Sequence, residues 1–524
     1  MRKNHKNKKE RNNVMKKMKK LVGILLTLAM IVAMSVTAFA EETSSGYKIY
    51  TNSTGHTYEI YQIFTGDYAD GVLSNVKWGT DGKRPEGVEV GGKVDSATLK
   101  ALTDVNSMSD TGKLAVIKNY ANLTTVYGKV TSDRALENVP VGYYLIKDED
   151  ESQKNENASY TLYIVNVVKE NVEIKPKADV PTSEKKVKDV NDSGNTAHDN
   201  DWIDSADYDI GDEVPFQLKG IVASDYANYN VYKFVFHDKE SAGLTFEAST
   251  VEVFVDGVKI ENPTEGEPYY RVTTPDDGDT FDVTFADLKK ITSTSVHAGS
   301  VITVEYKSIL NENAVLGSAG NPNTMHLEYS NNPNDAQGGE TGKTPDDTVI
   351  VFTYKLDVNK VDENKNPLSG AEFILEKKGF NNDGNETWTS IAVIKNEAGT
   401  TFTFKGLDDG VYKLSETKTP SRYNTIEPII FTVSATHDIS ANNPKLTALT
   451  GEAENGVITL ASTKKEGSNN DPAGELSTIV ENKKGTTLPS TGGMGTTILY
   501  VIGAILVIGA GILLVTKKRM NANK

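Results

Sequence analysis

The chain has 524 residues, no cysteine and a formal net charge of −16, from 72 acidic and 56 basic residues. An acidic chain argues against nucleic acid as a partner, and the lack of cysteine excludes disulfides, a thiol nucleophile and any cysteine-based metal site. The length is typical of about three or four domains.

The N-terminus has the composition of a secretory signal peptide. Lysine and arginine are frequent over residues 1–20, the apolar run LVGILLTLAMIVAM follows, and SVTAFA precedes two glutamates. A basic region, an apolar region and an A-x-A site in this order predict cleavage after Ala40, with an uncleaved signal anchor as the alternative. We therefore expect residues 1–40 to be removed and the mature body to lie outside the cell.

The body is predicted to consist of β-strands. Its short runs are rich in Val, Ile, Tyr, Phe and Thr, many alternate with period two, and Gly, Asn and Asp turns separate them. Examples are TYEIYQIF, YTLYIVNVV, VITVEYKSIL, YKLDVNKV and TFTFKGL. Only SATLKALTDV and TGKLAVIKNYANL are predicted to be helical. The pattern favours an all-β chain of tandem immunoglobulin-like β-sandwiches, with a small helical insertion in the first.

Two polar segments with prolines separate these β-rich regions. They are IKPKADVPTSEKK (174–186) and NNPNDAQGGETGKTPDDT (331–348). The predicted units are an N-terminal β-sandwich over 41–178, a middle β-sandwich over 179–349, a third over 350–485 and a C-terminal segment over 486–524.

The C-terminal segment combines an extended motif, an apolar run and a basic tail. Pro489 and Gly492 keep TTLPSTGGMGTT (486–497) out of any regular helix or strand. The run ILYVIGAILVIGAGILLV (498–515) is about long enough to span a bilayer. The Lys-Lys-Arg that follows it indicates a cytoplasmic end, which again places the body outside.

The motif, span and tail together resemble the LPXTG sorting signal of Gram-positive surface proteins. In that family a sortase cuts between Thr and Gly and passes the Thr carbonyl to an amine. The residues that match the motif are Leu488, Pro489, Ser490, Thr491 and Gly492.

The stretch VEIKPKADV (172–180) resembles the pilin motif of sortase-assembled backbone pilins, in which a lysine after a proline accepts the neighbouring subunit. The matching acceptor is Lys177, after Pro176. Lys175 stands where that family usually has an aromatic residue, which makes it a rival acceptor. Proline cannot pair in a sheet ladder, so an exposed lysine after it is expected to be reachable.

The third domain resembles the collagen-adhesin B-type sandwich. YKLDVNKVDENKNPLSGAEFILEKK matches its first strands, and GVYKLSETKTPSRYN carries the Y-x-L-x-E-T-x-x-P pattern of the pilin E-box. The resemblance implies an amide between Lys360 and Asn482, assisted by Glu416. Burial favours a neutral amine and a neutral acid, which suits this chemistry. Period-two parity also places Lys360 on one face with Leu356 and Val358.

The middle domain resembles the collagen-adhesin A-type sandwich through PTSEKKVKDV, YKFVFHDKESAGLTF and GNPNTMHLEYSNNP. The implied triad is Lys185, Asp238 and Asn323. Strand parity favours Lys185 over Lys186. Asn321 remains a competitor of Asn323. The first domain resembles the N-terminal domain of the same pilins but has no E-box, so no internal cross-link is predicted there.

Other motifs point to no metal or cofactor. NDSGNTAHDNDWIDSADYD (191–209) is rich in Ca²⁺-type oxygen ligands, yet its spacing fits no EF-hand loop, and a solvated loop is favoured. The seven histidines show no paired metal-binding spacing. No catalytic cleft or phosphate loop is indicated.

The resemblance implies a structural protein, the backbone subunit of a covalent pilus, rather than an enzyme. Its expected partners are a pilus-specific sortase, other copies of the chain, accessory pilins, and a housekeeping sortase that attaches it to peptidoglycan. A host surface ligand is left open. The alternative is a wall-anchored adhesin or an accessory pilin at the tip or base, which would not need Lys177.

Overall fold

The computed structural model describes most of the chain. The described residues are 46–108, 110–154, 156–190, 201–381, 383–395, 398–454, 458–467, 471–486 and 495–521. The predicted signal peptide, the sorting motif over 488–492 and residues 191–200 of the Asp-rich stretch lie outside these ranges. Strands dominate the described residues, so the predicted all-β fold class is confirmed.

The first domain combines strands with short helices. Its strands are β1 (Tyr47–Tyr50), β2 (Tyr58–Ala69), β3 (Val72–Trp78), β4 (Gly128–Val130), β5 (Leu136–Val139), β6 (Gly142–Asp148), β7 (Ile164–Val168) and β8 (Val172–Glu173). One sheet has the order β3-β2-β6-β7, with β4 also against β2, and a second has the order β5-β1-β8. Both predicted helical stretches form helices, α1 (Ser96–Asp104) and α2 (Asp110–Ile117). Asp95 caps α1 by accepting hydrogen bonds from the backbone N–H groups of Ala97 and Thr98.

The second domain packs two large sheets face to face. Its strands are β9 (Thr182–Lys188), β10 (Trp202–Ile203), β11 (Ser205–Asp207), β12 (Glu213–Ile221), β13 (Phe234–Glu240), β14 (Leu244–Val255), β15 (Val258–Ile260), β16 (Arg271–Thr273), β17 (Phe281–Phe285), β18 (Val301–Leu310), β19 (Asn321–Ser330), β20 (Thr341–Lys343) and β21 (Asp347–Phe352). One sheet has the order β10-β9-β12-β18-β14-β15. The other has the order β11-β21-β19-β13-β17-β16, with β20 beside β19. In β18 every second residue is buried, which is the period-two pattern of a strand with one face on the core.

The third domain is a smaller sandwich. Its strands are β22 (Tyr354–Asp362), β23 (Glu372–Phe380), β24 (Glu386–Lys395), β25 (Thr401–Leu407), β26 (Gly410–Lys418), β27 (Ile429–His437), β28 (Leu446–Ala453), β29 (Ala461–Lys464) and β30 (Pro472–Asn482). The sheets have the orders β25-β22-β30-β29 and β24-β23-β26-β27-β28. The first and last strands, β22 and β30, are neighbours and run parallel. Strand β21 pairs with β19 and β11, so it belongs to the sheet of the second domain up to Phe352.

Buried polar contacts join successive domains. Between the second and third domains, Lys377 Nζ lies 2.6 Å from Asp209 Oδ2, and it also contacts Asp408 Oδ2 of its own domain at 2.9 Å. Between the first and second, the backbone N–H of Tyr160 donates to the carbonyl oxygen of Asn331 at 2.7 Å. The domains are therefore in direct contact rather than separated by open linkers.

The chain ends in helix α3 (Gly495–Asn521). Residues Ile498–Arg519 of this helix are long and apolar enough to cross a membrane. Basic Lys518 and Arg519 lie in its last turn. The predicted C-terminal span therefore has a helix of suitable length.

Candidate cross-linking and anchoring sites

The third domain brings Lys360, Asn482 and Glu416 together at one end of its sandwich. Lys360 lies near the end of β22 and Asn482 ends β30, with Lys360 opposite Val480 and Asp362 opposite Asn482 in the parallel register. Glu416 projects from β26 in the facing sheet. Lys360 is 1% exposed and Asn482 is fully buried. Sequence positions far apart thus meet in one dry pocket.

Glu416 holds the amide of Asn482. Asn482 Nδ2 donates to Glu416 Oε1 at 2.9 Å and to Oε2 at 3.0 Å. Oε2 also accepts from Thr419 Oγ1 at 3.1 Å and from the backbone N–H of Ile426 at 3.2 Å. These donors fix the carboxyl group at the amide nitrogen, which is the leaving group in amide exchange. A half-turn of the Asn482 amide would present its carbonyl oxygen to Glu416 instead.

The surroundings of Lys360 make its amine easier to deprotonate. Burial lowers the pKa of its amine to about 8, although nearby Glu416 and Glu481 favour the charged form. Its Nζ lies 3.1 Å from the carbonyl oxygen of Val480, on the strand that carries Asn482. Asn482 Oδ1 is buried without a hydrogen-bond partner among the described residues. The amine and the amide are thus held near one another by their separate contacts with Val480 and Glu416.

The middle domain brings Lys185, Asp238 and Asn323 together in its centre. Lys185 is on β9, while Asp238 on β13 and Asn323 on β19 belong to the facing sheet. All three residues are fully buried. Lys185 Nζ donates a very short hydrogen bond to Asp238 Oδ2 and a second to Tyr306 Oη at 2.9 Å.

The surroundings of this triad disfavour charge. Burial is the cause, because the rings of Phe216 and Tyr306, whose centroids each lie 5.3 Å from Lys185 Nζ, attract a charged amine instead. Burial lowers the pKa of Lys185 and raises the pKa of Asp238, with the mutual attraction of the pair acting against both shifts. Both pKa shifts favour a neutral amine beside a neutral acid. This is the state that the proposed amide chemistry requires.

The two competitors occupy different environments. Lys186 points to the other face of β9, where its Nζ lies 2.5 Å from Asp204 Oδ1 and 3.2 Å from Glu184 Oε1. Asn321 is buried, but its Nδ2 donates to the carbonyl oxygens of Val315 and Val351 and its Oδ1 accepts from the N–H of Val315. Both side chains are thus engaged away from the Lys185–Asp238 pair.

Two residues of the middle site were not identified from the sequence. Tyr306 Oη donates to Asp238 Oδ2 at 3.1 Å and accepts from Asn323 Nδ2 at 2.8 Å, so it bridges the acid and the amide. Glu240 Oε1 lies 3.4 Å from Asn323 Nδ2, and burial raises the pKa of Glu240 to about 7. Period-two parity could have indicated both, because Tyr306 alternates with Val304 on the core face of β18 and Glu240 shares the face of Asp238.

The first domain contains a buried lysine in a different setting. Lys147 is 2% exposed, and its Nζ lies 3.0 Å from Glu59 Oε2 and 2.6 Å from Asp150 Oδ1. Burial opposes its charge, but hydrogen bonds to Asp150 and Glu59 outweigh burial and raise the pKa of Lys147. A charged amine is not a nucleophile, so the expectation of no cross-link here stays a prediction.

The predicted acceptor lysines follow β8 at the start of the first linker. Lys177 and Lys175 are both exposed, and 79% of the Lys175 side chain is accessible. The backbone of Lys177 is held on both sides, since its N–H donates to Thr161 Oγ1 at 2.6 Å and its carbonyl oxygen accepts from the N–H of Leu162 at 3.4 Å. An exposed side chain on a fixed backbone can be presented to an enzyme in a defined orientation.

Three family models match separate parts of the chain. Residues 210–333 match a Gram-positive pilin backbone subunit 2, Cna-B-like domain. Residues 354–445 match the SpaA prealbumin-like fold domain. Residues 480–522 match the LPXTG cell wall anchor motif. The first match includes Asp238 and Asn323 but not Lys185, and the second includes Lys360 and Glu416. Asn482 falls within the match to the anchor motif.

The chain is also similar to individual proteins and to solved structures. The trypsin-resistant surface T6 protein of Streptococcus pyogenes serotype M6 is 27% identical over 371 residues, which make up 60% of this chain and 64% of that protein. The chain thus spans a little under two thirds of the length of this relative. The structure of the T6 backbone pilin of the same serotype has a TM-score of 0.50 at 18% identity, covering 86% of this chain and 100% of that chain. The major pilin SpaD of Corynebacterium diphtheriae has a TM-score of 0.48 at 18% identity, covering 86% of this chain and 100% of that chain.

These findings confirm the predicted resemblance to Gram-positive backbone pilins and the presence of a wall anchor. The anchor motif and the apolar helix α3 also confirm the predicted location at the cell wall, with the precursor held in the membrane.

Proposed function

We propose that this chain, with its match to a pilin backbone domain and to the LPXTG anchor, is the structural backbone subunit of a covalent pilus on the cell surface. The observation that supports this most directly is the match of residues 210–333 to a pilin backbone subunit in a chain that also matches the wall anchor over 480–522. The role is structural, and no turnover of an external substrate is proposed.

Polymerisation would use the C-terminus of one subunit and a lysine of the next. The Thr491–Gly492 peptide bond breaks on a pilus-specific sortase, and an amide forms between the Thr491 carbonyl carbon and the incoming Nζ. The Gly492 amine is the leaving group. Lys177 is the proposed acceptor because its side chain is exposed while contacts with Thr161 and Leu162 hold its backbone.

The experiment that tests this role compares wall extracts boiled in detergent and blotted for the protein. Wild type is expected to give a ladder of high-mass bands, and Lys177→Ala is expected to give a single band. The matched control is Lys175→Ala, which removes the neighbouring exposed lysine and should keep the ladder. A ladder that persists in Lys177→Ala and vanishes in Lys175→Ala would move the acceptor, and a single band in wild type would favour an adhesin or accessory pilin.

Internal amides are the second part of the proposal. In each cluster a neutral lysine Nζ attacks the side-chain carbonyl carbon of the asparagine, a C–N bond to the lysine forms, and the bond to Nδ2 breaks. The carboxyl group carries one proton from the amine to the departing nitrogen, which leaves as ammonia. Glu416 would do this between Lys360 and Asn482, and Asp238 would do it between Lys185 and Asn323.

The remaining partners follow from the anchor. A housekeeping sortase would join the last subunit to peptidoglycan through the same Thr491 carbonyl. Accessory pilins would share the sortase and occupy the base or tip of the polymer. These assignments rest on the proposed assembly reaction, and deletion of each sortase gene followed by the same blot would separate polymerisation from attachment to the wall.

A further inference from the structure

The outer face of the second domain carries a cluster of histidine and carboxylate groups that the pilus function does not use. His237 on β13 lies opposite His326 on β19 and opposite Asp282 on β17, so three adjacent strands present these side chains side by side. The spacing of the histidines in the sequence predicted no metal site, because the sheet register brings together residues that are far apart in the chain.

The two nitrogens of His237 face different partners. Nε2 lies 3.2 Å from Glu328 Oε2, and Glu328 Oε1 in turn accepts from Lys233 Nζ at 2.8 Å. Nδ1 lies 2.9 Å from Asp282 Oδ1 and 3.4 Å from Asp279 Oδ2. An imidazole that donates through one nitrogen to a carboxylate directs the lone pair of the other nitrogen at its opposite side, as metal-ligating histidines do.

The atoms on the Nδ1 side are close together without being hydrogen-bonded. His237 Nδ1 and Asp282 Oδ1 are both buried and lack a hydrogen-bond partner within the described ranges, despite their 2.9 Å separation. Asp282 is only 9% exposed. At 2.9 Å the two atoms form an ion pair when the imidazole is protonated. When the imidazole is neutral and its proton is on Nε2, the Nδ1 lone pair and the carboxylate oxygen both face a place that a cation can fill.

The geometry fits a small divalent ion. His237, Asp279 and Asp282 each offer one ligand atom, and these atoms all lie within 4.8 Å of one another. With bonds of about 2.0 Å, two ligand atoms of a tetrahedral Zn²⁺ lie about 3.3 Å apart. The observed nitrogen-to-oxygen separations of 2.9 and 3.4 Å lie on either side of that value.

The cluster opens to solvent on one side. A cleft of about 400 Å³ is lined by His237, Asp279, His326, Glu328 and Thr341 among others, so an ion can enter and water can complete its coordination. The ring of His326 stacks on that of His237 with centroids 4.8 Å apart and limits its rotation. One imidazole with carboxylate oxygens is a ligand set that suits Zn²⁺.

We propose that His237, Asp279 and Asp282 bind a divalent transition ion, Zn²⁺ by ligand preference, with Glu328 as the positioning residue for the imidazole. The ion would join β13 to β17 and to the turn before it. It would lie on the outer side of β13, next to the inward-facing Asp238 of the middle triad. This site is independent of the pilus assembly reaction.

Calorimetric titration of the full-length chain with Zn²⁺ tests the proposal, after purification in detergent and removal of metal by chelation. Wild type is expected to bind one ion, and His237→Gln and Asp282→Asn are expected to abolish that binding. Glu328→Gln, which keeps the side-chain shape, should weaken affinity about 10- to 100-fold through the orientation of the ring. Zn²⁺ should also raise the Tm of wild type and leave the Tm of His237→Gln unchanged.

The matched control is His297→Gln, because His297 is an exposed histidine whose Nε2 lies 3.9 Å from Asp256 Oδ2. This variant should bind Zn²⁺ as wild type does. Wild type that takes up no Zn²⁺ would overturn the proposal and identify the cluster as an imidazolium paired with carboxylates. Equal binding by His237→Gln and wild type would also overturn it. A circular dichroism spectrum of each metal-free variant checks that loss of binding does not reflect loss of folding.

Discussion

The two lysine clusters contain the same three kinds of group but connect different parts of their domains. In the second domain, Lys185 and Asn323 belong to facing sheets, so an amide between them would tie the two layers of the sandwich. In the third domain, Lys360 and Asn482 lie on neighbouring parallel strands, so an amide would tie the first strand to the last within one sheet. Similar chemistry therefore serves different mechanical purposes, and the sheet topology decides which.

The position of the carboxyl group differs as well. Asp238 is hydrogen-bonded to the amine, and Tyr306 connects it to the amide. Glu416 is hydrogen-bonded to the amide, while the amine of Lys360 contacts the carbonyl oxygen of Val480. In the first cluster the acid is placed to take the proton of the nucleophile, and in the second it is placed at the leaving group.

The largest expected effect is on the intact mass, because replacing either carboxyl residue should prevent one of the two amides. The measured mass of wild-type protein over residues 41–485 should be lower than the mass calculated from its sequence by two ammonias. In Glu416→Ala and in Asp238→Ala the difference should fall to one ammonia. The carboxyl group is required in both clusters to move the proton to the departing nitrogen. Intact-mass spectrometry measures this, and Lys–Asn cross-linked peptides after proteolysis locate each bond.

Glu240→Gln provides the control within the middle domain. It removes a second buried acid near Asn323 but leaves Asp238 beside the amine, so the amide should still form. If the middle-domain amide fails to form in Glu240→Gln but still forms in Asp238→Ala, then Glu240 and not Asp238 is the acid that the reaction needs. An unshifted mass in wild type would contradict both amides.

The next effect is on stability. Each amide closes a long loop, and by analogy with a disulfide closing about 100 residues it should add about 4.7 kcal/mol to the free energy of unfolding. Lys185→Met and Lys360→Met should lower the unfolding free energy of their own domains by about this amount. Chemical denaturation followed by domain-specific proteolysis measures the loss.

Lys186→Met is the matched control for Lys185→Met, because it changes the neighbouring lysine on the opposite face of β9. Its amine pairs with Glu184, which is exposed, and with Asp204, which is buried, so the expected loss is about 1–3 kcal/mol and smaller than that of Lys185→Met. Equal losses for the two variants would show that the cross-link does not stabilise the middle domain.

Much of the fold could be predicted from the sequence because strand periodicity is local, whereas the two triads were implied by the family resemblance and remain predictions. VITVEYKSIL and TFTFKGL correspond residue for residue to β18 and β25. Parity within single strands also selected Lys185 and Lys360, which are buried among apolar neighbours. These inferences need only the alternation of side chains along one strand.

The remaining features of the fold and of the sites depend on contacts between residues far apart in the chain, so they could not be predicted from the sequence. YTLYIVNVV forms a strand only over Ile164–Val168, because the N–H groups of Tyr160 and Tyr163 are bonded to Asn331 and Asn334 of the second domain. Asn321 and Asn323 share one parity, and only their partners in space distinguish them. The role of Tyr306 and the grouping of His237 with Asp282 depend on strand register, which the sequence does not state.

A smaller effect is expected under tension, where the two domains should differ in how far the chain extends when each one unfolds. With both amides formed, force entering the third domain at β22 passes from Lys360 directly to Asn482, which leaves residues 361–481 unloaded. In the second domain the path runs from Lys185 to Asn323 and then through residues 324–352, which include β21. Single-molecule stretching should show no unfolding step for the third domain and a short step for the second, at most about 3.6 Å per released residue. A full-length step in either domain would contradict its amide.

The smallest expected effect is a difference in pH dependence. The pKa of Lys360 is lowered to about 8 from an ordinary value of 10.5, so the neutral amine in the third domain becomes the main form only above pH 8. Its amide should form faster as pH rises through this value in protein freshly refolded from denaturant. In the middle domain the amine passes its proton directly to Asp238, without net exchange with solvent, so its rate should vary less. Time-resolved intact mass at pH 6.5 and 9, about one to two units on either side, with Glu416→Ala and Asp238→Ala to isolate each bond, measures the difference.

The lowered pKa of Lys360 also predicts the direction in which the stability of the third domain changes with pH. In Asn482→Ala, which cannot form the amide, the folded state binds its Lys360 proton more weakly than the unfolded state does. Between pH 8 and 10.5 the unfolded state therefore holds more protons, and the free energy of unfolding of the third domain should rise with pH across this window. Below pH 8 both states are protonated and this contribution is constant. Urea titrations of Asn482→Ala against the double variant Asn482→Ala/Lys360→Met separate this lysine from every other titrating group. If the unfolding free energy changes with pH equally in the two proteins, the buried amine of Lys360 keeps its proton. The third cluster would then be prepared for the reaction by the positions of its groups rather than by their charge.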